Sequence, residues 1–385
     1  MFILHALSIS LGMTWEILWA LILGFILSAI IQSLVRRSSI VKHLGDNRPK
    51  SLAIATGLGA ASSSCSYAAV AIARSLFQKG ADFTAAMAFE IASTNLVIEL
   101  GIILALLIGW QFTLAEFVGG PIMIIVLAVI FRVFLRQKLI EDARKQAEHG
   151  ELGSMEGHAA MDMSIHKNGS FMQRLSSGEG ITSISHIFIM DWAAVIKDVV
   201  GGLLIAGAVA AWVPNSFWQK FFFVGHPLLS KIWGPLVGPL VSIVSFVCSI
   251  GNVPLAAVLW NGGISFGGVI SFIFADLIIL PILLIYKKYY GVKMMMFILG
   301  SFYAAMVIAG YLVEIIFGAL GLIPTARNAK LVEASIQWNY TTILNLIFLA
   351  IAGFLIYRFI TTCGRSMLKA MNKAPVPGHA HEHSA

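Results

Sequence analysis

Charge is what this sequence has least of. Only 12% of its 385 residues are Asp, Glu, Lys or Arg, 58% are hydrophobic and the mean hydropathy is +0.86. A soluble chain carries about a quarter charged residues, so the shortage excludes an ordinary soluble domain. Cysteine is scarce too. Cys65, Cys248 and Cys363 form no CxxC pair, which leaves no reason to expect a disulfide-stapled extracellular fold. A Walker A loop, a GxSxG elbow and an HExxH helix are all missing, so neither ATP-driven pumping within this chain nor the familiar hydrolases are expected. Segments of alternating polarity about 10 residues long, the mark of a transmembrane β-barrel, are absent as well. The opening MFILHALSISLGMTWEILWA has no basic n-region and no convincing cleavage site, and is expected to stay in the mature protein.

Long apolar runs are abundant. They fall at 13–35, 51–77, 81–110, 113–135, 191–213, 234–260, 264–286, 294–320 and 337–360, each about long enough to cross ~30 Å of hydrocarbon. The expected fold class is an all-α polytopic membrane protein. Its organisation is expected to be a membrane repeat over 1–135, a cytoplasmic loop over 136–190 and a second membrane repeat over 191–320. A C-terminal span over 321–362 and a cytoplasmic His-containing tail over 363–385 complete it. The net charge of +7 reads as topology rather than as nucleic-acid binding, because basic residues gather on the cytoplasmic side. If 51–77 and 234–260 enter and leave by the same face, 21 Lys and Arg lie inside and 4 outside. That asymmetry predicts seven full spans, two re-entrant segments, an outside N-terminus and an inside C-terminus in the inner cell membrane. The two membrane repeats then have opposite orientations, an arrangement common among secondary transporters.

An ungapped shift of 183 residues supports the repeat. It aligns SSSCSYAAVAIARSLFQKGADFTAAMAFEIA with SFVCSIGNVPLAAVLWNGGISFGGVISFIFA, with identity at 10 of 31 positions. Ser62/Ser245, Cys65/Cys248, Ser66/Ser249, Gly80/Gly263 and Phe83/Phe266 are among the matches. Four serines inside a span ask for an explanation. Irregular backbone at membrane depth survives only inside protein or beside a cavity, and Ser62, Ser63, Ser64 and Ser66 can satisfy freed carbonyls or a ligand. In the second copy Gly251, Asn252 and Pro254 are expected to break the helix. Close packing of helices through small residues is the alternative.

The Cys-Ser motif with its G-x-x-F turn occurs twice, on either side of a polar loop. The stretches ATGLGAASSSCSYAAVAIARSLFQKGADF, MEGHAAMDMS and SFVCSIGNVPLAAVLWNGGISFGG carry the likeness. Over roughly 13–360 the chain resembles the predicted permeases that include the ArsP-type trivalent organoarsenical efflux permeases. The resemblance implies a membrane permease. Family members often have Cys-Ser-Cys in the first motif, where Tyr67 stands here. That departure bears on the arsenical substrate, not on the permease assignment.

The substrate-binding candidates are Ser62, Ser64, Cys65, Ser66, Cys248, Ser249 and Asn252. Repeat equivalence brings Cys65 and Cys248 close if a pseudo-twofold axis relates the copies, and soft thiolates select soft ions; a small buried hydrophobe is the alternative role for either. Acids inside a membrane are functional by default. Glu90, Asp276 and Glu99 are therefore the proton-coupling candidates. Glu90 and Glu99 lie nine residues apart, about 180° around a helix, so they cannot face one cavity together. Glu90 shares its face with Ser93 and Thr94, and Asp276 is the repeat partner of Ser93. Glu16 and Glu314 sit nearer span ends, and Asp191, Lys197 and Asp198 suggest a structural ion pair. Met155, His158, Met161 and Met163, with His379, His381 and His383, offer loose soft-metal ligands; whether any metal binds stays open, and no cofactor is expected. The partners expected are the bilayer and a small-molecule or metalloid substrate. The leading function is a secondary permease, not an enzyme, that exports a small solute, with protons the expected coupling ion. An ion or solute channel and a membrane-embedded thiol redox enzyme or sensor are the alternatives.

Overall fold

The computed structural model describes residues 2–34, 44–46, 48–62, 66–78, 80–149, 173, 177–245, 249–329, 340–362 and 364. Helices make up nearly all of them, and no strand occurs among the described residues. The first half runs α1 (Phe2–Leu34), α2 (Pro49–Ser62), α3 (Ser66–Gln78), α4 (Phe83–Asn95), α5 (Ile98–Leu107), α6 (Trp110–Phe134) and α7 (Gln137–His149). The second half runs α8 (Gly178–Trp212), α9 (Asn215–Phe221), α10 (Pro227–Ser245), α11 (Ser249–Gly262) and α12 (Phe266–Phe274). A 3-10 turn over Ala275–Ile278 and α13 (Leu280–Ala319) follow, and α14 (Tyr340–Thr361) stands last. Among the described residues, α6, α10, α13 and residues 341–361 of α14 are long and apolar enough to cross a membrane. The pair α4 and α5, bent by 42°, can make a fifth crossing. Ile125, Val129 and Val133 on α6, Ile315 on α13 and Phe354 on α14 face outward, as a lipid-embedded surface requires. The chain is a polytopic all-α membrane protein.

One turn is built twice, 183 residues apart. Gly80 has φ +102° and Gly263 φ +110°, a region that costs glycine nothing and other residues strain. The Gly80 and Ala81 amides donate to the Phe77 and Leu76 carbonyls, as the Gly263 and Ile264 amides do to Trp260 and Leu259. Asp82 then caps α4 by accepting from the Thr84 amide at 2.8 Å, and Ser265 caps α12 by accepting from the Gly268 amide at 3.2 Å. Each cap satisfies an amide that a helix start leaves orphaned. An arginine closes each turn. Arg144 donates to the Phe77 and Ala81 carbonyls and lies 4.1 Å over the Phe77 ring. Arg327 donates to the Trp260 and Ile264 carbonyls at 2.8 and 2.7 Å and lies 4.3 Å over the Trp260 ring.

Close approaches fix how these pieces run. The Asp82 amide donates to the Leu44 carbonyl at 2.8 Å, so after α2 and α3 the chain is back at the level where it set out. A Cβ on Gly59 would sit 2.4 Å from the Phe89 carbonyl oxygen, which places α2 alongside α4 and running the same way. Gly234 meets Ser265 and Gly238 meets Gly268 in the same manner, so α10 runs alongside α12. Phe83, at the start of α4, stacks on Phe131 near the end of α6, with centroids 5.8 Å apart. Phe266, at the start of α12, meets Phe112 near the beginning of α6 at 4.7 Å. With 25 residues, α6 is about 37 Å long, so α4 and α12 start at its opposite ends.

Three expectations need correcting. Gly251, Asn252 and Pro254 do not break a helix: all three lie inside α11, which begins at Ser249. Pro254 is the sixth residue of α11, and the helix continues past it to Gly262 although its i→i−4 bond is missing. The segment 136–190 is not all loop, because α7 packs beside α3 and α13 and α8 begins at Gly178. The first helix begins at Phe2 rather than residue 13.

Candidate functional site

Two helix starts and a 3-10 turn meet at one carboxylate. Ser66 opens α3, Ser249 opens α11, and Asp276 lies in the 3-10 turn after α12. Ser66 Oγ donates to Asp276 Oδ2 at 2.6 Å and Ser249 Oγ to the same oxygen at 2.7 Å. The two hydroxyls are 3.4 Å apart and 183 residues apart in sequence. The starts of α3 and α11 therefore both face this carboxylate, and helix N-termini favour negative charge. Asp276 is fully buried, and its Oδ1 has no partner among protein atoms. Asn95, at the bend between α4 and α5, stands beside it. Its Nδ2 donates to Thr94 Oγ1 at 3.1 Å, while its Oδ1 is left without a partner.

Glu90 supplies a second carboxyl to the same region. It is fully buried, accepts a hydrogen bond from the Tyr286 hydroxyl, and keeps Oε2 unpartnered. Tyr286 stacks near Tyr290, which meets Phe77 and Phe83 edge-on and so packs on the first of the twin turns. Buried Arg74 lies 4.3 Å over the Tyr289 ring and donates to the Ala147 carbonyl of α7 at 2.7 Å. An unsatisfied oxygen in such surroundings costs about 1–3 kcal/mol. The free oxygens of Asp276, Glu90 and Asn95 are thus acceptors waiting for a proton, a water or a donor on a solute.

The remaining sequence candidates lie elsewhere. Ser62 Oγ turns back to the Gly59 carbonyl at 3.0 Å. Asn252 Nδ2 donates to Ser242 Oγ at 3.1 Å, and Ser245 donates to Asn252 Oδ1 at 3.4 Å, which ties α11 to α10. Glu99 packs against α1 at Gly24, on α5 beyond the 42° bend that separates it from Glu90 on α4, so the angle expected of one continuous helix does not apply. Glu314 accepts from the Gly267 amide at 2.7 Å, a cap on α12, with Lys231 at 3.9 Å. Ser63, Ser64, Cys65, Cys248, Cys363, Met155–Met163, His379, His381 and His383 lie outside the described residues, as do the side chains of Glu16, Asp191 and Asp198. Among the described residues no three His, Cys, Asp or Glu are grouped to hold a metal ion. A cavity of about 750 Å³ sits apart from this centre, between α2, the start of α4 and the end of α6.

Sequence reasoning missed two residues. Tyr286 lies 196 positions from the Glu90 it bonds, and no local pattern marks such a pair. Glu116 on α6 is fully buried with both carboxyl oxygens unpartnered. An acid inside an apolar run was the available signal for it.

No solved structure matches the chain. A protein of Mycobacterium tuberculosis (strain ATCC 25618 / H37Rv) carrying the name "Putative permease Rv2963" is 69% identical over 347 residues, covering 90% of this chain and 86% of that one. The ArsP_1 family, described as "Predicted permease", matches residues 2–315. The chain belongs to that permease family.

Proposed function

We propose that the chain is a secondary permease of the inner cell membrane that exports a small solute, a soft metalloid compound being the leading class, in exchange for protons. The observation that carries this reading is the meeting of Ser66 and Ser249, offset by 183 residues, on the single buried carboxylate of Asp276. Residues at one repeat offset meet where a pseudo-twofold axis passes, and such an axis between inverted halves is where secondary transporters hold their substrate. The starts of α4 and α12 at opposite ends of α6 support the inversion. So does the return of the chain from α3 to the level of Leu44.

The basic residues Arg132, Arg136, Lys138, Arg144 and Lys145 cluster around the end of α6 and on α7, which supports a cytoplasmic position for that end. Cys65 and Cys248 directly precede the two serines in the sequence, and soft thiolates select soft ligands, which supports the metalloid class. Asp276 and Glu90 then supply the exchangeable protons. The reading is tested by a resistance panel of arsenicals, antimonite, copper and mercury in a sensitive host, followed by uptake into everted vesicles. One compound of the panel should be concentrated by wild-type vesicles under a pH gradient, and no longer by Glu90→Gln vesicles. Equal pH-driven uptake by both would remove Glu90 from the cycle.

A further inference from the structure

Glu116 has no place in the reading above. It lies on α6 six residues after Trp110, about 9 Å from that end of the helix. Gly119 and Gly120, one turn on, show what its face meets. A Cβ on Gly119 would lie 3.0 Å from the Phe274 ring and from Val313, and one on Gly120 would lie 2.5 Å from Leu96. Residues three and four apart share a helix face, so Glu116 looks toward the bend after Asn95 and the end of α12. Asp276 follows Phe274 by two residues, and its charge reaches both Glu116 and Glu90. Glu90 stands seven residues into α4, about 10 Å in from the opposite end of α6. The order across the molecule is Glu116, Asp276, Glu90.

The helices packed on α6 are α4, α5, α12 and α13. Their acids are Glu90, Glu99 and Glu314, with Asp276 joining from the 3-10 turn, while Lys287, Lys288 and Lys293 of α13 belong toward the far end of α6, where Phe297 meets Phe131. Of these groups Asp276 is the one within electrostatic range of Glu116. No hydrogen-bond donor serves either oxygen of Glu116. An ionised carboxyl without a partner is far costlier in such surroundings than a protonated one, so the group needs a proton whenever the site is dry.

We propose that Glu116 is a proton-binding site of the transport cycle that serves the face at the start of α6, as Glu90 serves the other, with Asp276 exchanging protons with both. This rests on the proton-coupled reading. In each exchange one carboxylic acid gives up its proton and the neighbouring carboxylate takes it, so no other reactant is required.

The test is infrared titration of the full chain in lipid nanodiscs, following the carbonyl stretch of protonated carboxyls in wild type, Glu116→Gln, Glu116→Leu and Asp276→Asn. One titrating band should be lost from both Glu116 variants, and in Asp276→Asn its midpoint should move by about half a pH unit or more, since coupled groups titrate together. Unchanged bands in Glu116→Gln and Glu116→Leu would overturn the proposal, and so would a midpoint indifferent to Asp276→Asn. The Leu variant fills the site without a polar group, so agreement between the two excludes loss of the band by misfolding around a buried amide. A second arm uses proteoliposomes loaded with a pH dye and given a gradient of phenylarsine oxide. Proton movement in wild type should vanish in Glu116→Gln while the arsenical still binds. A wild type that carries phenylarsine oxide across the bilayer but moves no protons, with the infrared bands behaving as described, would defeat the coupled-transport reading and leave Glu116 as a proton site.

Discussion

Asp276 draws its two hydrogen bonds from residues that share nothing but a repeat offset, so each serine can be tested against the other. Removing either hydroxyl withdraws a donor from a buried acceptor, which costs about 1–3 kcal/mol. Ser66→Ala and Ser249→Ala should each lower the thermal unfolding midpoint in detergent. Because both serve Asp276 Oδ2, either single variant leaves that oxygen one donor and only the double strips it, so the double variant should exceed the sum. Strict additivity would mean that they do not share an acceptor. The offset that pairs these serines could be read directly from the chain. The angle between Glu90 and Glu99 could not, because spacing fixes an angle only within one helix and the chain bends by 42° between Asn95 and Ile98. Tyr286 and Asn252 could not be read that way. Their partners are fixed by which helices touch, and neither spacing nor composition states that. Pro254 misled for a related reason: proline is disfavoured in a helix interior, yet α11 holds it at its sixth position and runs on to Gly262 among buried neighbours.

At the scale of elements, the twin turns are the parts held hardest. Each puts an arginine onto two carbonyls and over an aromatic ring, and hydrogen bonds to a charged donor contribute about 1.5–3 kcal/mol. Arg327→Ala should speed amide exchange at Gly263 and Ile264 by roughly 10- to 100-fold, the range those energies imply. Gly80 and Ala81 should stay protected, and Arg144→Ala should do the reverse. Equal effects at both turns would show that the arginines act through the global fold rather than locally. These two residues are themselves 183 positions apart. The sign of the repeat therefore extends past the aligned 31 positions, into a polar stretch that offers no hydropathy pattern to follow. The amphipathic α7 escaped notice for the same reason, since its apolar residues are few.

The whole molecule is argued to be two halves of opposite orientation joined at their deepest points, with α14 added outside them. Lys145, on α7, and Lys220, on α9, belong to opposite ends of α6 in that arrangement. Single cysteines at these positions in a cysteine-depleted background should be labelled from opposite faces of sealed vesicles; labelling from one face would undo the inversion. The class of the molecule was plain from hydropathy, because a bilayer imposes long apolar runs. Which runs turn back is a question of tertiary contact, and the bond between Asp82 and Leu44 is the kind of contact that bears on it. The central claim is that solute and proton meet at Asp276. It is tested most directly by pH-gradient-driven uptake, into everted vesicles, of whichever panel compound the wild type transports. Asp276→Asn keeps the size of the side chain but cannot titrate, so its uptake should fall to that of vesicles lacking the protein, although the protein still reaches the membrane. Uptake by Asp276→Asn that equals wild type and keeps its pH dependence would contradict the account.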